Sequence, residues 1–260
     1  MTAGLRLAVR QVRYENKAFW RNPASAFFTF AFPLLFLFVF TTLLGNDTST
    51  LPSGQEVSNS TYYTASILAF AVITACYTNI AISVAFLRDQ GVLKRVRGTP
   101  LPSWSYLLGR ILHAVLVMLL LVVIVCGFGR VFYGIALPTH SAPAFLATLV
   151  VGAFTFCALG LACTAIIPNA DAAPAVVNGT ILPLLFLSGV FIPIDDGPAW
   201  VRTFAGTFPV RAFLKSVVES FIPPPGHPSG WHPAALGVVL LWGVGGLLVA
   251  ARWFRWEARR

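Results

Sequence analysis

Charge is scarce in this chain. Charged residues fill 10% of its 260 positions, and only nine are acidic. Soluble domains carry about a quarter of their residues as charge, so a water-facing surface around one small core is excluded. Lysine occurs three times, as Lys17, Lys94 and Lys215. None has the Gly-x-x-x-x-Gly-Lys-Ser/Thr setting that cradles nucleotide phosphates, so the chain is not expected to hydrolyse ATP itself. There is no His-Glu-x-x-His, and Ser188-Gly189 lacks the leading glycine of a Gly-x-Ser-x-Gly elbow, so no enzyme activity is expected. The four cysteines, Cys76, Cys126, Cys157 and Cys163, lack metal-type spacing and read as small packing residues. No metal or other cofactor is expected on the chain.

What the sequence does have is apolar length. Six runs stand out, at 26–45, 62–87, 106–129, 142–167, 174–194 and 232–254, within a composition that is 57% hydrophobic. A hydrocarbon core about 30 Å thick needs roughly 20 apolar residues of helix. Only helices or closed barrels satisfy their backbone in lipid, and continuous rather than alternating runs select helices. The expected fold is an all-α integral membrane protein with six transmembrane helices. Small residues such as Gly152, Gly160, Gly237, Gly243 and Gly246 would let these helices approach closely.

The net charge of +9 is a topology signal rather than a nucleic-acid footprint. Fourteen of the 18 basic residues lie in 1–22, in 88–110 and after 251, segments that an even number of spans puts on one side. The positive-inside rule makes that side the cytoplasm, with both termini there. Residues 3–22 read as a helix in the interface plane. Arg6, Arg10, Arg13, Lys17 and Arg21 form one stripe, and Leu5, Val9, Val12 and Phe19 form the apolar stripe beside it.

The most polar cytoplasmic segment is 88–101. Gly91 can open a short helix there, and Gly98 with Pro100 can end it. Leu93 and Val96 share one face and Lys94 with Arg97 the next, the shape of an apolar docking knob with basic edges. The turn 168–173 is short enough to make its flanking helices antiparallel neighbours, and Asp171 is placed to cap the helix after it. Residues 195–230 are apolar where an external loop should be polar. Arg211, Lys215 and Glu219 recur every four residues, so 209–222 reads as an amphipathic helix that touches or dips into the outer leaflet.

Taken together, these segments resemble the permease subunit of an ABC-2 type (type V) ABC exporter of the daunorubicin-resistance kind. The likeness covers nearly the whole chain. It is carried by Arg21-Asn22-Pro23 before a run containing Phe32-Pro33-Leu34. It is carried also by Asp89-Gln90-Gly91-Val92-Leu93 leading to Thr99-Pro100, and by Asn178, Pro183 and Phe186-Leu187-Ser188-Gly189-Val190-Phe191-Ile192-Pro193, with Trp200 and Pro209 beyond. Asp89 stands where glutamate is commoner in that family, and Val92 where threonine is.

The resemblance implies a role for each segment. Residues 88–101 would be a coupling helix seated in a groove of a separate ATPase, through Asp89, Gly91, Leu93, Lys94, Val96, Arg97, Thr99 and Pro100. The 195–230 region would supply re-entrant external helices, and Ser188, Gly189, Phe191 and Pro193 an external gate. Two ATPase subunits, which bind ATP and Mg, would work with two permease units, identical or related, in a bacterial plasma membrane. The expected substrate is a hydrophobic or amphipathic drug or lipid, because the spans offer an apolar, aromatic wall. Its path would involve Phe70, Tyr77, Asn79, Phe154, Phe156, Asn178, Thr180 and Phe186. The alternative is an ion-driven secondary transporter or a passive membrane carrier. Only His113 and Asp171 lie near enough to spans to serve as relays, and their scarcity favours the ATP-driven partner. Cysteines placed at Phe213 and Val217 are expected to react slowly with a membrane-impermeant thiol reagent. Fast labelling at both would mean a helix exposed to water.

Overall fold

The computed structural model describes residues 2–44, 48–50, 56–99, 101–191, 198–224 and 229–257. The chain opens with α1 (Thr2–Trp20) and α2 (Pro23–Leu44). A small antiparallel hairpin follows, β1 (Thr48–Thr50) with β2 (Glu56–Ser58), Ser49 opposite Val57. Next come α3 (Asn59–Ile73), a π-helical turn (Thr74–Thr78) and α4 (Asn79–Asp89), which together make one long rod. The short α5 (Val92–Arg97) leads to α6 (Ser103–Tyr133), α7 (Ala142–Cys163) and α8 (Ala173–Leu187). The chain then forms α9 (Ala199–Gly206), α10 (Pro209–Phe221) and α11 (Pro233–Trp253).

Among the described residues, five helices are long and apolar enough to cross a bilayer: Pro23–Leu44, Asn59–Asp89, Trp104–Tyr133, Ala142–Cys163 and Pro233–Trp253. The all-α membrane architecture therefore holds, but the run 174–194 does not form a sixth helix of equal length. It gives the 15-residue α8, about 22 Å long at 1.5 Å per residue. The helix stops because the Ser188 hydroxyl donates back to the Leu185 carbonyl at 3.0 Å and Gly189 takes φ +89°. The run 142–167 is also helical for less than its length, ending at Cys163, while α6 extends past both ends of 106–129.

The α3–π–α4 rod is the centre of the bundle. Of its most apolar window 72% is buried, against 17% for α2 and 28% for α11, so those two lie at the periphery. The π turn widens the rod where it meets α7. The Tyr77 carbonyl is turned against Gly160, where an added Cβ would lie 2.7 Å from that oxygen. Gly152, one face further along α7, receives the Phe213 ring of α10. Gly243 and Gly246 similarly admit α7 side chains to α11, whereas Gly237 faces open space.

The α9–α10 segment is a helical hairpin folded back into the bundle. Its bend is held by the Trp242 indole, which donates to the Thr207 carbonyl at 2.7 Å from the middle of α11. Its far end is held where the Ser141 hydroxyl donates to the Ser220 carbonyl. Phe213 and Val217 are fully buried, and Phe213 packs edge-on against Phe156 at 5.2 Å. The apolar face of α10 therefore meets α3, α7 and α11, not the lipid surface expected from its amphipathic pattern. Packing consumes that face because the short α8 leaves room for it. The exposed apolar residues of this region are Trp200 and Phe204, on α9.

Helix α1 lies along the start of α6. The Ser105 hydroxyl donates to the Gly4 carbonyl at 2.7 Å, and Arg110 pairs with Glu15 at 3.3 Å with both side chains largely covered. Leu5 and Val9 point outward beside the basic stripe, but Phe19 turns inward against His113, so the apolar stripe is split between two surfaces. Asp171 does not cap α8. It is exposed, and the turn is instead closed by Asn169, whose side-chain oxygen accepts from the Ala172 amide at 2.9 Å.

Filling the Gly160 contact should destabilise the bundle by about 1–3 kcal/mol, as overpacking against backbone does. Gly160→Ala should lower the thermal unfolding midpoint in detergent, while Gly237→Ala leaves it unchanged or raises it. Equal midpoints for the two variants would contradict the packing described.

Candidate functional site

Helices α2, α3, α4 and α8 and the π turn enclose a groove of about 710 Å³. Its wall alternates rings and aliphatic groups with hydroxyls and amides. Phe28, Phe32, Phe70, Ile181, Leu182 and Leu185 supply the apolar part; Ser25, Thr29, Thr74, Thr78, Asn79, Ser83 and Asn178 supply the polar part. Phe28, Phe32 and Leu182 are exposed, so the groove opens sideways on the surface of the bundle. The wall is polar where the π turn breaks the regular hydrogen-bond ladder. The Thr74 hydroxyl donates back to the Phe70 and Ala71 carbonyls at 3.0 and 3.1 Å. The Thr78 hydroxyl oxygen is buried without a hydrogen-bond partner among the described residues. Such an orphan costs about 1–3 kcal/mol. Single-turn π bulges of this kind recur at functional positions.

An aromatic cluster packs behind Phe70, the ring it shares with the groove wall. Phe191, itself buried, packs against Phe186 at 5.1 Å, Phe36 and Phe70 at 5.6 Å, and Phe40 at 6.0 Å. The chain can turn Phe191 back into the bundle because Gly189 adopts a left-handed conformation that other residues resist. Tyr62 secures that turn, donating its hydroxyl to the Gly189 carbonyl at 2.9 Å.

Of the path residues singled out in the sequence, Phe70, Asn79 and Asn178 meet in this groove. Tyr77, Phe156 and Thr180 face a second, smaller cavity of about 220 Å³ on the other side of the rod, where the Tyr77 and Thr180 hydroxyls are 2.7 Å apart. Phe154 lies at the α7–α11 contact, away from both. Phe186 belongs to the aromatic cluster rather than the wall. Ser188 is spent on ending α8, and Pro193 lies outside the described residues. The hydroxyls Ser25, Thr29, Thr74, Thr78 and Ser83 were not anticipated. Their signal was available as polar residues at near-helical spacing inside otherwise apolar runs.

The segment expected to couple, 88–101, holds the short α5. Gly91 opens α5 with φ +68°, and the Gly98 amide closes it onto the Lys94 and Arg95 carbonyls. Leu93 is fully buried and Val96 partly so, both packed on this chain's own core. The expected apolar knob is therefore not presented outward: the apolar face of so short a helix is needed to seat it on the bundle. The outward surface is Lys94, Arg95, Arg97, Gly98 and Thr99, and Pro100 lies outside the described residues. Lys94 also reaches Glu257 at 3.7 Å, an exposed pair of little energetic weight.

Two side chains at the end of α4 tie this segment to the α7–α8 turn. Arg88, buried, donates to the Thr164 carbonyl at 2.9 Å and the Ile167 carbonyl at 2.6 Å. Asp89 accepts from the Ala170 amide at 2.6 Å. Arg88 stood at the end of an apolar run and was read there only as topology charge. His113 is buried on α6 beside Phe19, and Asp171 is exposed on the α7–α8 turn, so the two residues considered for an ion relay sit on different elements.

Residues 10–222 match the family of ABC-2 type transporters. Over 157 residues the chain is 25% identical to proteins named probable multidrug ABC transporter permease YbhR, from Escherichia coli K12 and from Escherichia coli O157:H7. The alignment covers 60% of this chain and 42% of those relatives, so the chain spans less than half of their length.

Removing the Phe191 ring should open the groove. In a background without native cysteines, Asn178→Cys should label faster with an impermeant maleimide when Phe191 is also replaced by alanine. The same replacement should cost about 3–5 kcal/mol of stability, as buried Phe→Ala changes do. Unchanged labelling would show that Phe191 does not close the groove.

Proposed function

Because this chain belongs to the ABC-2 type transporter family, we propose that it is the membrane subunit of an ATP-driven exporter that moves a hydrophobic or amphipathic substrate, a drug or a lipid, out of the inner leaflet or cytoplasm. A separate ATPase subunit in two copies would supply the energy and bind ATP and Mg, and a second permease unit would complete the path in a bacterial plasma membrane. The observation that carries this reading is the groove itself. It opens sideways, where a substrate already dissolved in the bilayer can enter, and Phe191, packed against the wall residue Phe70, would serve as its gate at one end. Its wall suits a molecule with two characters: the rings of Phe28, Phe32 and Phe70 for an apolar body, and Thr74, Thr78, Asn79 and Asn178 for a polar head.

The outward direction of transport rests on the family resemblance, and the basic charge gives the orientation of the groove. By the positive-inside rule, the open part of the groove would face the cytoplasmic half of the bilayer and Phe191 the external half. An ion-driven mechanism has little to work with, since among the described residues no carboxylate lines the groove.

The ATPase would meet the outward face of α5. Co-expression with candidate ATPase subunits, followed by tag purification, should recover a complex that hydrolyses ATP in lipid. Replacing Lys94, Arg95 and Arg97 together by glutamate should weaken that complex roughly tenfold or more and increase its salt sensitivity, because these are exposed charges at a contact rim. Undiminished binding by the triple variant would move the docking surface elsewhere, and failure to recover any ATPase would favour a passive or ion-driven carrier.

A further inference from the structure

The end of α4 carries an arrangement that goes beyond seating a docking helix. Arg88 and Asp89 are consecutive, and both side chains turn toward the same short segment of backbone. They engage it at Thr164, Ile167 and Ala170, three points spaced three residues apart. The first two are carbonyls just past the last helical residue of α7, Cys163. Carbonyls that have left a helix have no ladder partner, and when buried they need a donor from elsewhere in the protein. A buried guanidinium suits two such carbonyls, because its planar fork reaches two acceptors at once.

There is little slack on either side of this clamp. Between α4 and α5 stand only Gln90 and Gly91, whose amides donate to the Phe86 and Arg88 carbonyls at 3.0 and 3.1 Å. On the other side, the Ala173 amide donates to the Ala170 carbonyl at 3.1 Å, and α8 begins at that residue. Helix α8 then contributes Asn178, Ile181, Leu182 and Leu185 to the groove and ends at the turn that carries Phe191.

We infer that Arg88 and Asp89 are positioning residues that join α5 and the α7–α8 turn into one lever, so that displacement of α5 reaches the groove wall through α8. This rests on the exporter reading above. A merely structural cap would affect stability but not the response of the groove to nucleotide.

The test uses the full chain, with and without its ATPase partner. Without the partner, backbone hydrogen exchange across 165–173 should accelerate in both Arg88→Met and Asp89→Asn; unchanged protection would overturn the clamp. With the partner in lipid, Asn178→Cys is labelled by a maleimide in the nucleotide-free and vanadate-trapped states. The ratio of the two rates should shrink by roughly 2- to 30-fold in Arg88→Met, the range expected for loss of a coupling residue, and by less in Arg88→Lys. A parental ratio in Arg88→Met would overturn the lever while leaving the exporter reading intact. If the parent itself shows no nucleotide response but the variants lose protection, the exporter reading fails and the clamp stands. Should Arg88→Met not fold, Arg88→Lys and Asp89→Asn carry both arms.

Discussion

Backbone carbonyls and amides that leave a helix inside a membrane protein must find partners in the protein itself, because lipid offers none. This chain breaks its helices repeatedly, and side chains answer the breaks. Arg88 and Asp89 serve the turn after α7, Ser188 the end of α8, Tyr62 the Gly189 turn, and Trp242 the bend between α9 and α10. Of these, Arg88 matters most. It is a full charge, nearly inaccessible, and it donates to two backbone oxygens, those of Thr164 and Ile167. Burial of such a charge without those acceptors would be strongly unfavourable.

The breaks also create the candidate site. A continuous α3–α4 helix and a full-length α8 would pack as a closed bundle. The π turn instead places Thr74 and Thr78 on the groove wall and pushes the Tyr77 carbonyl into the hollow left by Gly160. The shortness of α8 leaves space that the α9–α10 hairpin fills from one side and Phe191 from another. Groove, aromatic cluster and hairpin are thus consequences of the same departures from regular helix, held at one end by the Arg88–Asp89 clamp.

Much of this was legible in the sequence. The six apolar runs, the short segment between Gly91 and Gly98, and the amphipathic repeat at Arg211, Lys215 and Glu219 each correspond to a described element. What escaped were matters of direction. Periodicity shows that Leu93 and Val96 share a face, but not that the bundle rather than a partner covers it. The pattern of 209–222 shows an apolar side without showing whether lipid or protein meets it. Phe70 and Tyr77, seven residues apart, would share a face of a regular helix, but the π turn between them rotates the rod and turns Tyr77 away, and no local sequence signal specifies a five-residue π turn; Asn178 and Thr180, two residues apart on α8, face opposite sides by ordinary helical periodicity. Arg88 was hidden by its neighbours: in a basic segment, one arginine with a buried structural duty looks like the rest.

The central claim is that α8 moves with α5 and that this movement changes the groove. Spin labels at Arg97 and Leu182 report the distance between α5 and α8, and labels at Phe28 and Leu182 report the width of the groove. Pulsed electron paramagnetic resonance on the complex with its ATPase, with and without trapped nucleotide, should find the first distance constant and the second changed. A changed α5–α8 distance with a constant groove width would contradict the account.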